Sequence, residues 1–352
     1  MSPRVGLVQG NTTAFGGAPV NAARHVEMVA DFVDAVPIWL ETGPDVVAHG
    51  NGWRVRGIDE RQVADRLIAL ARGQKLQGLH LYGAFGYPLA AVAAARFLCL
   101  PLIVSLRGSD INLGLYGGAT MLEAASAATV MTVLSPFPEK LVRRLFPPHG
   151  PVITVPIMVN ESDFSGGVAR VPLERPIIGC VAEFRRISGL DVLLDAFQML
   201  RRPASLLLVG PLNPLEAAYY SRVLHDRKRI FRTGTVPHAR VLEYVRACDL
   251  MVFPSMAEGG LPNKILEAML SGVPVIASRV HGILEGIENG VNGRLVEPRN
   301  PSALAAAIEE ALKYPRMARG WALEASGQVR ARYTLAAEEA AWREVYRAGG
   351  IL

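Results

Sequence analysis

Pro254-Ser255-Met256-Ala257-Glu258-Gly259-Gly260-Leu261-Pro262-Asn263-Lys264-Ile265-Leu266-Glu267-Ala268-Met269 follows the apolar run Leu250–Phe253 and opens a helical pattern. A short buried strand, a glycine loop and a helix in that order make one βα step of a parallel sheet. Gly259 and Gly260 let the backbone come close to a ligand. Pro262 suits the first helical position, where its missing N–H costs nothing. The N–H groups of Gly260, Leu261 and Asn263 would then point at an anion, helped by the helix dipole. Glu258 and Glu267 flank the element. Carboxylates repel phosphate, so the hydroxyls of a sugar or a ribose are their natural partners. Taken alone, the same loop also serves as a purely structural helix start.

The same alternation runs outward in both directions. Before this step, Ile177–Val181, Leu206–Val209 and Ile230–Thr233 read as strands, with helices over Leu190–Leu200 and Val241–Ala247. After it comes a strand at Val275–Ala277. In the first half, Val5–Val8, Leu76–Leu81, Leu102–Leu106, Val130–Leu134 and Val152–Val155 read as strands, with helices over Asn21–Val33 and Pro88–Leu98. This is the βαβ signature of sheets buried on both faces. Gly166-Gly167, Pro172 and Pro176 cluster between the two series and mark the joint. The expected organisation is two Rossmann-like α/β domains, 1–168 and 169–330. A last helix in 331–352 has no strand after it. Ligands of such sheets bind at the carboxyl ends of the strands.

Bulk properties agree. A chain of 352 residues suits two domains at roughly 100–200 residues each. Half of it is hydrophobic and 20% charged, a globular composition. A net charge of +5 is far from the dense basic runs of a nucleic-acid binder. It fits phosphate ligands or an acidic membrane surface. Cys99, Cys180 and Cys248 are odd in number and widely spaced, against a disulfide framework or a cysteine zinc site and in favour of a reducing cytoplasm. The N-terminal apolar run is too short for a signal peptide. The stretch Leu79–Leu106 is broken by Gly83, Gly86, Pro88, Arg96 and Pro101, unlike a membrane span.

The wording of the central segment resembles the donor-binding signature of glycosyltransferase family four: proline-serine, Glu-Gly, Gly-Leu-Pro-Asn, Leu-Glu-Ala-Met. Ser271-Gly272-Val273-Pro274-Val275-Ile276-Ala277 and Glu288-Asn289-Gly290-Val291-Asn292-Gly293-Arg294-Leu295-Val296 extend the likeness. So do Gly16-Gly17-Ala18 after the first strand, Leu79-His80-Leu81-Tyr82, Ser105-Leu106-Arg107-Gly108-Ser109-Asp110 and Val155-Pro156-Ile157-Met158-Val159-Asn160. The resemblance implies the GT-B fold, two facing Rossmann-like domains with a cleft, and a final helix returning to the first domain. It implies a retaining transfer of a sugar from a nucleotide-diphosphate donor, with no metal and no other cofactor. The acceptor would be a sugar, a lipid-linked or a small molecule. By the same resemblance Glu258 touches the donor sugar, Glu267 the ribose hydroxyls, Gly17 the diphosphate and Val236 the base through its backbone. Gly259, Gly260, Leu261 and Asn263 complete the donor loop.

The chain departs from the family in three places. Eight residues separate Glu258 from Glu267, one more than is usual, with Gly260 as the apparent insertion. Glu183 and Ser188 stand where the family carries a phosphate-binding arginine and lysine. A leaving diphosphate needs cations: one charge pair at about 4 Å is worth on the order of 4 kcal/mol at an effective dielectric of 20. Arg185 and Arg186 lie in the same strand-to-helix loop and are the expected replacements, Arg186 first, with Arg107 as a third source. Glu183 is then expected to turn away or to pair with an arginine.

Weaker signals have two readings each. His80 ends a strand and is either a structural histidine or a catalytic one. Asp110 either caps a turn or acts as a base. His225, His238 and His281 have no ligand spacing and read as surface residues, and no metal-binding cluster is evident. Pro138–Phe146 carries Lys140, Arg143 and Arg144 beside apolar residues and is a solvated amphipathic helix or a membrane-surface element. Two rival functions stand beside the transferase: a non-catalytic nucleotide-sugar binder, and a transfer to sulfur, selenium or nitrogen on the same scaffold.

Overall fold

The computed structural model describes residues 2–10, 17–83, 87–107, 119–145, 150–159, 166–214, 216, 220, 229–258 and 260–352. Gly16, Asp110, Asn160, His225 and Gly259 lie outside the described residues. Contacts divide the chain into one unit of Met1–Pro156 with Ala336–Leu352 and a second of Ile157–Leu335. The expected joint lay at 168/169. The intervening segment is tied to the second unit, where the Val159 N–H donates to the Tyr333 carbonyl and the Ala169 N–H to the Glu243 carbonyl.

In the first unit the strands are β1 (Arg4–Gln9), β2 (Asp34–Thr42), β3 (Val46–His49), β4 (Gly52–Gly57), β5 (Gly78–Tyr82), β6 (Leu102–Ser105), β7 (Val130–Val133) and β8 (Val152–Thr154). They form one sheet in the order β3-β4-β2-β1-β5-β6-β7-β8. Every pairing is parallel except that of β3 with β4. Alternate side chains feed two layers. Leu79 and Leu81 pack with α2 (Glu60–Gly73), α3 (Pro88–Leu98), α4 (Ala119–Ala127) and α5 (Pro136–Leu145). Val5, Leu7, Ile103 and Val130 pack with α1 (Gly17–Val29) and with Trp342, Val345 and Tyr346 from the last helix of the chain, Leu335–Ala348. Val142 seats α5, whose Arg143 donates to Glu139 at 3.1 Å and to the Val152 carbonyl at 2.9 Å. Lys140 and Arg144 on the same helix are exposed. The sequence reading passed over β2, β3, β4 and α2. Pro37 sits in the middle of β2 opposite Leu7, where a missing N–H argues against a strand interior.

The second unit holds β9 (Ile177–Val181), β10 (Ser205–Val209), β11 (Ile230–Arg232), β12 (Leu250–Phe253), β13 (Val275–Ser278) and β14 (Arg294–Val296). All run parallel, in the order β11-β10-β9-β12-β13-β14. The helices are α6 (Leu190–Gln198), α7 (His238–Ala247), α8 (Asn263–Leu270), α9 (His281–Leu284), α10 (Pro301–Lys313) and α11 (Pro315–Arg332), and the chain's last helix, in the other unit, is α12 (Leu335–Ala348). The chain steps outward from β9 to β11 on one side and from β12 to β14 on the other. The crevice beyond β9 and β12 is therefore the topological switch point, where doubly wound sheets bind ligands. The loops after these two strands press together. Gly189 has φ +73°, and a Cβ there would run into the Pro254 carbonyl oxygen. The Met256 N–H donates to the Ile187 carbonyl at 2.9 Å. Among the described residues no helix is long and apolar enough to cross a membrane.

Candidate active site

At the end of β12 the chain turns through Pro254 and Ser255 into the loop that carries Glu258. Ser255 is buried, and its Oγ donates to Glu258 Oε1 at 2.7 Å. The Lys264 ammonium meets the same oxygen at 3.1 Å. Helix α8 starts at Asn263, and Pro262 is its N-cap in extended conformation, one position earlier than the sequence predicts. Leu261 sends its side chain into the core, which leaves its backbone for any ligand. The Gly260 backbone lies against Gly282, where a Cβ would collide with it.

Helix α8 is buried almost all round: Ile265, Leu266, Ala268, Met269 and Leu270 are in the core. Glu267 is caught in that company at 4% exposure. A buried carboxylate needs a partner, and His238 supplies one, with Nε2 at 3.0 Å from Glu267 Oε1. A carboxylate offers no hydrogen, so Nε2–H of the histidine is the donor. His238 opens α7, directly after Gly234, Val236 and the N-cap Pro237. Gly234 has φ +68°, a left-handed turn that glycine takes without strain. The surface role expected for His238 is thus corrected: it is half-buried and bound to the second carboxylate.

The loop after β9 explains its two departures. Ser188 closes a 3-10 turn: its Oγ accepts the Arg185 N–H at 3.1 Å and donates to the Arg185 carbonyl at 2.5 Å. Glu183 Oε2 faces Arg185 at 3.8 Å, and its Oε1 accepts from Asn213 Nδ2 at 3.2 Å. Pairing with an arginine was one of the two outcomes expected of Glu183. The Arg186 N–H donates to Glu216 Oε2 at 2.7 Å, and the side chains of both arginines are exposed.

In the first unit Gly17 opens α1. Arg107 lies over the Tyr82 ring with its guanidinium carbon 4.8 Å from the centroid. His80 is fully buried, with Nε2 2.7 Å from Ser105 Oγ and Nδ1 3.0 Å from Tyr346 Oη. Thr132 Oγ1 donates to Ser105 Oγ at 2.7 Å, and Tyr346 Oη lies 2.9 Å from His25 Nε2. Burial first, and then the charge of Arg107, lowers the His80 pKa to about 3. Both ring nitrogens are occupied inside the core. Of its two readings, the structural one is what the geometry shows, and the catalytic one has no accessible nitrogen to work with. Among the described residues no group of three or more His, Cys, Asp or Glu side chains is placed to hold a metal ion.

Residues 175–314 match the family described as glycosyl transferases group 1. That segment is similar to a group 1 glycosyltransferase domain. It contains β9 through α10, and with them Glu258, Lys264, Glu267 and His238. Over 263 residues the chain is 26% identical to a putative teichuronic acid biosynthesis glycosyltransferase of Bacillus subtilis, an alignment covering 70% of this chain and 65% of that protein. Among solved structures, sucrose-phosphate synthase from Thermosynechococcus elongatus superposes with a TM-score of 0.81 at 21% identity over 98% of both chains. The Anabaena protein HepE, in complex with UDP and glucose, superposes with a TM-score of 0.78 at 18% identity, over 97% of this chain and 99% of that one. These likenesses show the GT-B fold that the sequence predicts.

Within that segment, the sequence singles out Glu258 and Glu267 but gives no role to Lys264, Ser255 or His238. The pairings of Ser255 and Lys264 with Glu258 are local, and a strand-end serine and a first-turn lysine could have flagged them. That of His238 spans 29 residues and leaves no local pattern. A separate open cleft of about 680 Å³ lies between the segment 284–292 and α11. Its Asn292 holds the segment together, donating to the Gly286 carbonyl and accepting the Glu288 N–H, and also bonds Gln328.

Proposed function

We propose that this protein is a retaining glycosyltransferase that moves a sugar from a nucleotide-diphosphate donor to an acceptor oxygen without a divalent metal. One observation carries the reading: two carboxylates, Glu258 and Glu267, bracket the start of α8 beside the switch point of a group 1 domain. Glu267, fixed by His238, takes the ribose hydroxyls. Glu258, on the loop, takes hydroxyls of the donor sugar. The backbone of Gly260, Leu261 and Asn263 faces the diphosphate, and Val236 meets the base through its backbone. The HepE complex with UDP and glucose supports a nucleotide sugar as the donor class.

In the reaction the bond between the anomeric carbon and the diphosphate oxygen breaks, and its electron pair stays on that oxygen. The acceptor oxygen bonds to the same carbon on the same face, and its proton passes to the departing diphosphate. Catalysis then consists of fixed dipoles and charges that meet the leaving group, the usual source of large rate effects where no enzymic nucleophile acts. Three free cysteines support a reducing, cytoplasmic setting. The exposed Lys140 and Arg144 support peripheral contact with an anionic membrane surface if the acceptor is lipid-linked.

A thermal-shift and hydrolysis screen across UDP-, GDP- and ADP-sugars tests this. One donor should raise the unfolding temperature and be slowly hydrolysed, and both effects should survive EDTA. Binding without hydrolysis or transfer would favour the non-catalytic reading. An absolute need for manganese or magnesium would overturn the metal-free mechanism, and no response to any nucleotide sugar would overturn the donor assignment.

A further inference from the structure

Lys264 occupies an unusual place. It is the second residue of α8, in the first turn. The positive end of a helix dipole disfavours a cation there. Its side chain is mostly covered, at 23% exposure. It is nonetheless held in position, by Glu258 at 3.1 Å, and Glu258 is held in turn by Ser255. Burial pushes the Cys180 thiol up to about 12, and the Lys264 charge is the opposing influence on it. Lys264 is on the helix that follows β12, and β12 and β9 are the two strands that flank the switch point. A cation held in this first turn against its own helix field, next to the crevice where such a sheet binds its ligand, is placed to meet an anionic group there.

The other cations near the site are differently placed. Arg185 faces Glu183, and Arg186 is exposed. Ser188 is consumed in closing its turn. Lys264 carries three N–H donors, and Glu258 Oε1 engages one of them.

We propose that Lys264 binds the diphosphate of the donor, and that Glu258 holds its ammonium in place between turnovers. The inference rests on the nucleotide-sugar reading and goes beyond it, because it moves the phosphate-binding charge from the loop after β9 to the first turn of α8. During transfer the ammonium offsets the charge that collects on the departing diphosphate.

The test is calorimetric titration of the full chain with UDP, GDP and ADP, followed by the nucleoside of whichever diphosphate binds. Lys264→Met should lose about 10- to 100-fold in diphosphate affinity and keep the wild-type affinity for the nucleoside. Lys264→Arg should restore most of the diphosphate affinity. Glu258→Gln should bind the diphosphate as well as wild type or better, since it removes a competing negative charge, while turnover falls. If Lys264→Met fails to fold, Lys264→Gln and the Glu258→Gln titration decide. Wild-type diphosphate affinity in the lysine variants, or an equal loss for nucleoside and diphosphate, overturns the role of Lys264 and leaves the site reading intact. A wild-type chain that binds none of the three diphosphates overturns both.

Discussion

The two sheets of this chain follow one winding plan and use their polar residues in opposite ways. In the first unit the polar groups at the ends of β5, β6 and β7 turn on one another. Thr132, Ser105, His80, Tyr346 and His25 form a continuous hydrogen-bonded chain inside the core. In the second unit the polar groups near β11 and β12 form two small clusters, Glu267 with His238 and Glu258 with Ser255 and Lys264, in which His238, Glu258 and Lys264 keep a partial opening to solvent. Sheet topology alone therefore does not locate chemistry. What distinguishes the units is whether the polar groups at the strand ends exhaust their bonding capacity on each other.

The largest expected effect belongs to the closed network. Burial, then the charges of His80 and Arg107, holds the His25 pKa well below its usual value, and His80 is lowered to about 3. Tyr82, Tyr346, Glu338 and Arg107 are the other titratable groups around them. Unfolded, each histidine takes up a proton below about pH 6.5. The unfolded chain thus binds more protons between roughly pH 6.5 and 3, so the stability is complete above 6.5 and falls on acidification. At about 1.4 kcal/mol per unit for each histidine, pH 5 should remove about 4 kcal/mol. Denaturant unfolding at pH 7 and pH 5 measures this, and His80→Phe should lose about half of the pH dependence. A variant with the full wild-type slope would break the contrast between the two units.

The open pair should respond in binding. Glu267→Ala should weaken the donor by about 1–3 kcal/mol, the cost of stranding buried hydrogen-bonding groups, with the pH-dependent unfolding of the first unit unchanged. Unaltered affinity in calorimetry would remove Glu267 from the site. The smallest effect sharpens the comparison further. His238→Ala should raise the donor KM by about fivefold, near 1 kcal/mol, and leave kcat alone, with partial rescue in His238→Gln. A fall in kcat at constant KM would show His238 acting on the reaction itself and not through Glu267.

Much of this was legible from residue order. The strand at Ile177–Val181, the strand at Leu250–Phe253 and the helix at Pro88–Leu98 coincide with β9, β12 and α3, because continuous apolar runs bounded by glycine or proline admit few alternatives. The stretch 34–75 was not legible, since Pro37 interrupts β2 and a hairpin carrying the antiparallel edge strand follows it. The two carboxylates are legible from the motif, which Gly260 lengthens by one residue. Their partners were not all found. Lys264 looks like an ordinary first-turn residue until the fold brings its ammonium onto Glu258. His80 could not be assigned from sequence because the group that saturates it, Tyr346, is 266 residues away.

That last separation bears on how the protein is made. Trp342, Val345 and Tyr346 are core residues of the first unit, whose other residues precede Ile157. Synthesis runs from the N-terminus, and domains generally fold as units as they emerge. The first unit reaches the ribosome exit before the second and yet lacks part of one apolar layer until Trp342, Val345 and Tyr346 appear. The second unit is contiguous, Ile157–Leu335, and has all its residues earlier. The half of the chain born second is the half that can finish first, and the half born first must wait with β1 and α1 incompletely covered.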